Sequence, residues 1–301
     1  MVDEQLELID LNYLGTPETI PLYLIKHKNG VAAVDCGPGT TLDALTKALK
    51  ERGYQLHDLT DVLLTHIHLD HAGASGFLAR QGATIHVHPN GVKHLVNPEK
   101  LLESAKRIYG NKMDFLWGEF LPVPEDKIHV LEDEEEINIG DLIFKAYYAP
   151  GHAVHHVVYV YNGICFSGDV GGSRLPGQEW ISLPMPPPDL HIETWLETVD
   201  RMRKLQCKVI APTHFGFFED VTWHLDQLEK NLVEVLSWLP QAMKDDPSLE
   251  IFEERFFTWN KEKIAQYPMS EEMRKRYEAA NPAWMSPAGL YRYWNKYKKV
   301  E

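Results

Sequence analysis

The sequence predicts an α/β fold whose chemistry is gathered at strand ends, and three observations carry that prediction. Short β runs alternate with helical stretches over the first two-thirds of the 301 residues. Three separate strand ends deliver side chains that can bind metal, and such groups sit where rigid strands give way to loops. The most concentrated of these ends reads THIHLDHAG. It sets His66, His68, Asp70 and His71 directly after the apolar run Val62-Leu63-Leu64.

In chain order, LYLIKHKNGVAAVDCG reads as a hairpin joined at Asn29-Gly30, since both residues tolerate positive φ. TTLDALTKALKERG follows as a helix with Leu42, Leu45 and Leu49 on one face and Gly53 at its C-terminal end. DVLLTHIH and ATIHVHP are buried strands. Residues 90–120 form a mostly helical insertion, and the acidic EDEEE at 132–136 reads as a solvated loop. A second hairpin, HHVVYVYNGICFSGD, turns at Asn162-Gly163 and delivers Asp169. PMPPPDL at 184–190 is a stiff loop leading into the helix HIETWLETVDRMRKL. CKVIAPTH is a further strand, ending at His214. Beyond it, VTWHLDQLEKNLVEVLSWL opens a polar, aromatic and mostly helical region. A boundary near 219 divides a core (1–219) from a C-terminal helical region (220–301).

Composition narrows the function classes. A formal net charge of −14 repels phosphate backbones and disfavours nucleic acid and anionic membranes as partners. No apolar stretch approaches the ~18 residues that span a bilayer, and MVDEQLELID lacks the pattern of a signal peptide. Cys36, Cys165 and Cys207 stand far apart and outside any CxxC pattern. They suggest neither a disulfide framework nor a thiolate zinc site, and a cytoplasmic setting fits them.

Histidine and carboxylate ligands without thiolates suit a divalent first-row metal, with zinc, iron and manganese all open. His66 and His68 are two apart and point the same way in an extended segment. As the chain curls out of the strand, Asp70 and His71 address a second position beside the first. Two ions ~3.5–4 Å apart can share so many ligands through a bridging carboxylate and water. A water on such ions ionises near ~7 and attacks an electrophilic centre, with Asp70 placed to hold or relay its proton.

HxHxDH at 66–71, with His152 in APGHAVHH, Asp169 in FSGDV and His214 in APTHFG, resembles the metallo-β-lactamase superfamily, in particular its glyoxalase II-like hydrolase branch. The resemblance covers about residues 5–218. It implies an αββα sandwich, two mixed sheets with helices outside, to which the C-terminal helical region is appended. It also implies a ligand set: His66, His68 and His152 for one metal, Asp70, His71 and His214 for the other, and Asp169 bridging. Branches that carry glutamate at the His68 position, or lack an aspartate at the bridging position, match less well. After Asp169 the chain reads DVGGSRLPG, without the Cys-Gly-Arg/Lys pattern by which glyoxalase II binds glutathione.

The substrate contacts expected beside the metals are one of His155 and His156, which start a strand and so face opposite ways, and Arg174, which fits a surface position equally well. Gly171 and Gly172 are read as either a close backbone approach or a turn, and Asp35 in VDCGPG as a turn-capping aspartate ahead of a support for a loop near the site. His86, His88, His94, His191 and His224 match no motif. The sequence thus describes a dinuclear metal-dependent hydrolase with two divalent ions, zinc first. It acts on a small ester-like molecule, a thioester before a lactone. A phosphodiesterase, a non-hydrolytic metal or redox protein, and a homodimer remain as alternatives to be tested. The aromatic tail and the 90–120 insertion are expected to wall the substrate pocket.

Overall fold

The structure is a computed structural model describing residues 4–299. Its first sheet holds six strands in chain order: β1 (Leu6–Asp10), β2 (Pro21–His27), β3 (Gly30–Val34), β4 (Leu59–Leu63), β5 (Thr84–Val87) and β6 (Ile128–Val130). β1 to β3 are antiparallel, and β3 to β6 run parallel. The second sheet has the order β11-β10-β9-β8-β7, from β7 (Glu136–Ile139), β8 (Leu142–Tyr148), β9 (Val157–Tyr161), β10 (Ile164–Phe166) and β11 (Val209–Ala211). Only its β10–β11 pair is parallel.

Burial on both faces explains why the strands of the first sheet read as continuous apolar runs. Along β2, Leu22 and Leu24 face one apolar cluster while Tyr23 and Ile25 face another, and β3 repeats this with Val31 and Ala33 against Ala32 and Val34. The cluster between the sheets joins Tyr23, Val34 and Leu63 to Phe144, Tyr159 and Phe166. Outside the first sheet pack α1 (Leu42–Glu51), α3 (Ser75–Arg80), α4 (Pro89–Val96) and α5 (Glu99–Tyr109), with the one-turn α2 (Leu69–Ala72) and α6 (Met113–Trp117) beside them. Outside the second pack α7 (Ile192–Lys204), α8 (Val221–Ala242), α9 (Leu249–Ile264) and α11 (Ser286–Tyr293). α10 (Glu271–Ala280) supplies Tyr277 and Ala280 to a small cluster with Leu175, Trp180 and Phe215. The result is a helix–sheet–sheet–helix sandwich with a C-terminal helical extension, as expected. Among the described residues no helix is long and apolar enough to cross a membrane.

Two local expectations change and one holds. The first hairpin turns on Lys28 and Asn29, one position earlier than Asn29-Gly30, because His27 pairs with Gly30. The second does turn at Asn162-Gly163, both with positive φ (47° and 76°). The acidic EDEEE stretch is more than a solvated loop. Asp133 and Glu134 hold Arg201 of α7 at 2.9 and 3.1 Å, Glu135 meets His129 at 2.6 Å, and Glu136 opens β7.

Candidate metal centre

The C-terminal ends of β3, β4, β8, β10 and β11 meet at one edge of the sandwich. β4 stops at Leu63, and the chain leaves it extended through His66 to His68, the residue that precedes α2. The single turn of α2, closed by the His71 amide donating to the His68 carbonyl at 3.0 Å, swings Asp70 and His71 back toward the same edge. His152 lies on the β8–β9 connection, Asp169 on the tight turn after β10, and His214 three residues beyond β11. Gly168 must be glycine there: its φ is +51°, and a β-carbon would stand 2.7 Å from both His156 Nε2 and Thr65 Cβ.

The side chains converge in two groups. His66, His68, His152 and Asp169 offer ligand atoms within 4.8 Å of one another, and so do Asp70, His71 and His214. His68 Nδ1 lies 2.9 Å from Nε2 of both His66 and His152. Asp169 faces both groups. Its Oδ2 is 3.4 Å from His152 and 3.8 Å from His66, and its Oδ1 is 3.4 Å from His71 and 3.8 Å from His214. Asp70 Oδ2 stands 3.6 Å from His71 and 3.5 Å from His214.

The outward ring nitrogens are tied down, which assigns the tautomers. His152 Nδ1 donates to the Pro184 carbonyl (2.8 Å), His214 Nδ1 to the Thr19 carbonyl (2.5 Å) and His71 Nδ1 to Asp35 (2.8 Å). Each keeps its Nε2 aimed inward, where it can bind a cation. His71 Nε2 and Asp169 Oδ1 are buried without a hydrogen-bond partner. Buried polar atoms are rarely left so, and a cation between the lone pairs and carboxylates satisfies them all.

The electrostatics agree. Burial pushes His66 and His68 down, His68 to about 3, with neighbouring histidines adding to the effect, so this group presents neutral imidazoles. In the second group burial is outweighed: Asp70, Asp169 and Asp35 hold His71 well above its usual value, and Asp70 and Asp169 raise His214. Burial opposes the ionised form of Asp169, but His71 and His152 hold its carboxyl far below the usual range. No lysine or arginine pairs with Asp70 or Asp169 among the described residues. Without a metal, the protonated forms of His71 and His214 balance these carboxylates, and a bound cation would take the place of those protons. The arrangement is a dinuclear metal-binding site built from nitrogen and oxygen donors.

Asp35 corrects the turn-capping expectation. Its carboxylate accepts from the Thr65 amide (2.8 Å), the Thr213 hydroxyl (2.9 Å) and His71, binding three strand ends beneath the site. Asp35 and His214 both hold left-handed backbones (φ 57° and 77°), a cost tolerated where surrounding bonds over-determine the geometry.

A cavity of about 250 Å³ opens over the centre, reaching Asp70, Asp169 and His214. Ala105, Ile108 and Tyr109 of α5 wall it on one side, Pro184 and Pro186 on another, and Asn281 and Met285 of the tail on a third. His155 lines it. His156 lies behind the ligand cluster instead, its Nε2 accepting from the Asp169 amide at 3.2 Å, and β9 begins only at Val157. Arg174 departs from its expected role. It forms a two-point salt bridge to Asp220 (2.7 and 2.8 Å) and stacks on Phe218 and Trp223, away from the cavity. Gly171 and Gly172 meet protein, since added β-carbons would strike Ser167 Oγ at 2.1 Å and Ile181 at 2.5 Å. Of the histidines without a motif, His94 lines the cavity, His86 binds Asp61, His88 and His191 cap α4 and α7, and His224 donates to the Gly171 carbonyl. Tyr109 and Met285 lie in the insertion and the tail that were expected to wall the pocket, but no motif singled out either residue.

A protein of Sulfurisphaera tokodaii, the metallo-beta-lactamase fold-containing protein ST1585, is 26% identical over 225 residues, 73% of this chain and 80% of its own length. The hydroxyacylglutathione hydrolase of Aeromonas salmonicida is 31% identical over 149 residues, 49% of this chain and 45% of that enzyme, so the match spans less than half of it. Among solved structures, the metallo-beta-lactamase family protein TTHA1429 of Thermus thermophilus superposes with a TM-score of 0.72 at 21% identity, covering 98% of this chain and 95% of that one. The ST1585 structure gives 0.66 at 21% identity, covering 96% and 98%. The family model of the metallo-beta-lactamase superfamily matches residues 15–214, from the loop after β1 to the last histidine of the centre. With that match, two sheets in this order and these strand-end ligands, the chain belongs to the metallo-β-lactamase superfamily.

Proposed function

We propose that this protein is a dinuclear metal-dependent hydrolase of a small ester-like substrate, a thioester above all. In this reading His66, His68 and His152 hold one ion, Asp70, His71 and His214 hold the other, and Asp169 bridges them. The observation that carries it is the placing of Asp169, one oxygen toward each group, beside a half-open and largely apolar cavity. Without thiolates the donors suit zinc, iron or manganese, and zinc is the ion we expect.

Two such ions, when bound, supply an acidified water and Lewis-acid stabilisation of developing negative charge. The chain's own groups do the rest. Asp70, partly open to the cavity, is placed to take a proton on Oδ2 and pass it to the leaving group. Apolar walls from α5, the proline loop and the tail exclude bulk water and receive the acyl group. The thioester preference draws support from the partial likeness to hydroxyacylglutathione hydrolases. The altered stretch after Asp169 and the inward commitment of Arg174 to Asp220 point to a thiol other than glutathione.

The test is an activity screen of zinc-, manganese- and iron-loaded protein across thioesters, lactones and phosphodiesters, with elemental analysis of the same samples. Saturable thioester hydrolysis with two metals per chain is the expected result. Turnover of lactones alone moves the substrate to the runner-up class. Redox-active iron with no turnover of any ester ends the hydrolase reading.

A further inference from the structure

A hydrogen-bond donor on one wall of the cavity lacks a good acceptor, and two more unpaired donors lie behind that wall. Tyr109, at the end of α5, lines the cavity together with Asp70, Asp169 and His214. Its hydroxyl donates to the thioether of Met285 at 3.2 Å, and a thioether is a weak acceptor. The ring itself is held firmly, edge-on to Trp117 (5.0 Å) and to Trp284 (5.8 Å). Behind it Tyr13 stacks on Trp117 at 5.8 Å, and neither the Tyr13 hydroxyl nor the Trp117 indole N–H finds a partner, although both residues are buried. Tyr13 is set between two left-handed residues, Asn12 (φ 47°) and Leu14 (φ 50°). Buried donors left unpaired are costly, and strained backbone collects where a site needs a fixed side chain.

We propose that the Tyr109 hydroxyl is a substrate-contacting donor of this site, leaving Met285 to hydrogen-bond the acyl oxygen of the bound substrate. Tyr13 and Trp117 are positioning residues that fix the Tyr109 ring. The inference rests on the hydrolase reading and deepens it. The donor serves by hydrogen bond alone. Burial and the fields of Asp70, Tyr13 and Asp169 raise the Tyr109 phenol far above its usual value, so it stays protonated and is neither base nor nucleophile. A neutral donor beside a metal pair fits an oxygen that gains negative charge, because its contribution grows as that charge develops.

The experiment compares Tyr109→Phe and Met285→Leu in the metal-loaded protein, with the butyryl thioester of N-acetylcysteamine as substrate. A donor to the reacting oxygen predicts that Tyr109→Phe lowers kcat about 10–100-fold with KM and metal content nearly unchanged. Met285→Leu removes the competing acceptor at similar volume, and in that background Tyr109→Phe is expected to lower kcat by a further factor of about 10–100. If the O–H···S contact only clasps α5 to the tail, Tyr109→Phe adds no further loss once Met285 is leucine, and that result overturns the proposal. An unchanged kcat in Tyr109→Phe overturns it as well. Replacing Tyr109 with 3-fluorotyrosine guards against a misfolded phenylalanine variant, since it alters donor acidity at nearly constant shape; a kcat insensitive to it counts against the donor. Should the wild type hydrolyse no ester, the hydrolase reading fails separately, and butyrate binding to the zinc-loaded protein decides the donor. Binding about 5–10-fold weaker in Tyr109→Phe supports it, and equal affinities overturn it.

Discussion

Asp35 and His71 show how one buried pair orients a ligand. Asp35 accepts the Nδ1 proton of His71 and thereby presents Nε2 to the centre. Asp35→Asn is expected to weaken binding of the second ion about 10-fold while leaving the first nearly intact, read by competitive zinc titration. Asp169→Ala reaches further. Its two oxygens face both groups, so elemental analysis should show loss at both positions, whereas His214→Ala should empty mainly the second. Equal, selective loss of the first ion in both variants would refute the assignment. His224 gives a pH effect away from the metals. Burial pushes its imidazole from 6.5 down to about 4, and the Arg174 cation adds to that, while its Nε2 donates to the Gly171 carbonyl. Between those values the unfolded chain holds a proton that the folded one refuses, so stability falls as pH falls through that window. The total from this residue is about 3 kcal/mol. Thermal melts from pH 7 to 4 should decline, and His224→Gln should flatten the decline.

At the scale of elements, the informative case is the join between the turn after β10 and α8. Arg174 lies almost fully buried between Phe218 and Trp223 while its guanidinium grips Asp220, the residue before α8. Asp220 is half exposed, so solvent tempers the pair. Removing the arginine still forfeits two aromatic stacks and leaves a carboxylate facing apolar rings. Arg174→Ala is therefore expected to cost about 2 kcal/mol and several degrees of melting temperature. KM should not change, because the side chain points away from the cavity. A large KM increase at unaltered stability would restore the substrate-binding role that the sequence suggested. The insertion shows the same interplay. α5 puts Ala105, Ile108 and Tyr109 on the cavity, while Leu102, Ala105 and Tyr109 also join the apolar cluster of the first sheet, so one helix serves both core and pocket.

For the whole molecule, the C-terminal helices are part of the sandwich's outer layer. Leu228 and Leu232 of α8, Phe252 and Phe256 of α9, and Leu290 of α11 share one cluster with Val158 of β9 and Trp195 of α7. At about 2 kcal/mol for each buried large apolar side chain, these five approach about 10 kcal/mol, the whole stability of a typical domain. A chain ending at residue 219 is accordingly expected to aggregate, or to melt far below the full chain in a thermal scan. A soluble, metal-loaded 1–219 with unchanged kinetics would show that the tail neither stabilises the fold nor shapes the pocket.

The alternation of strands and helices, and the clustering of chelating residues at strand ends, were legible in the sequence because they are local. A period of two or 3.6 and an HxHxDH spacing are readable within a dozen residues. The helix-rich insertion and tail were legible for the same reason. What depends on distant pairing was not. Asp35 looked like a turn residue because its partners Thr65, His71 and Thr213 come from other segments, and only the adjacency of β3 with β4 brings the first two to it. Arg174 looked like a substrate arginine because nothing near it in sequence showed that Asp220 and two rings would enclose it. Tyr109 and Met285, 176 positions apart, meet over the metals with no motif to announce them. The sequence by itself determined which elements form and which donors are offered. Tertiary packing decided which donors are paired, which are buried and which face the cavity, because burial and hydrogen-bond satisfaction belong to the assembled chain.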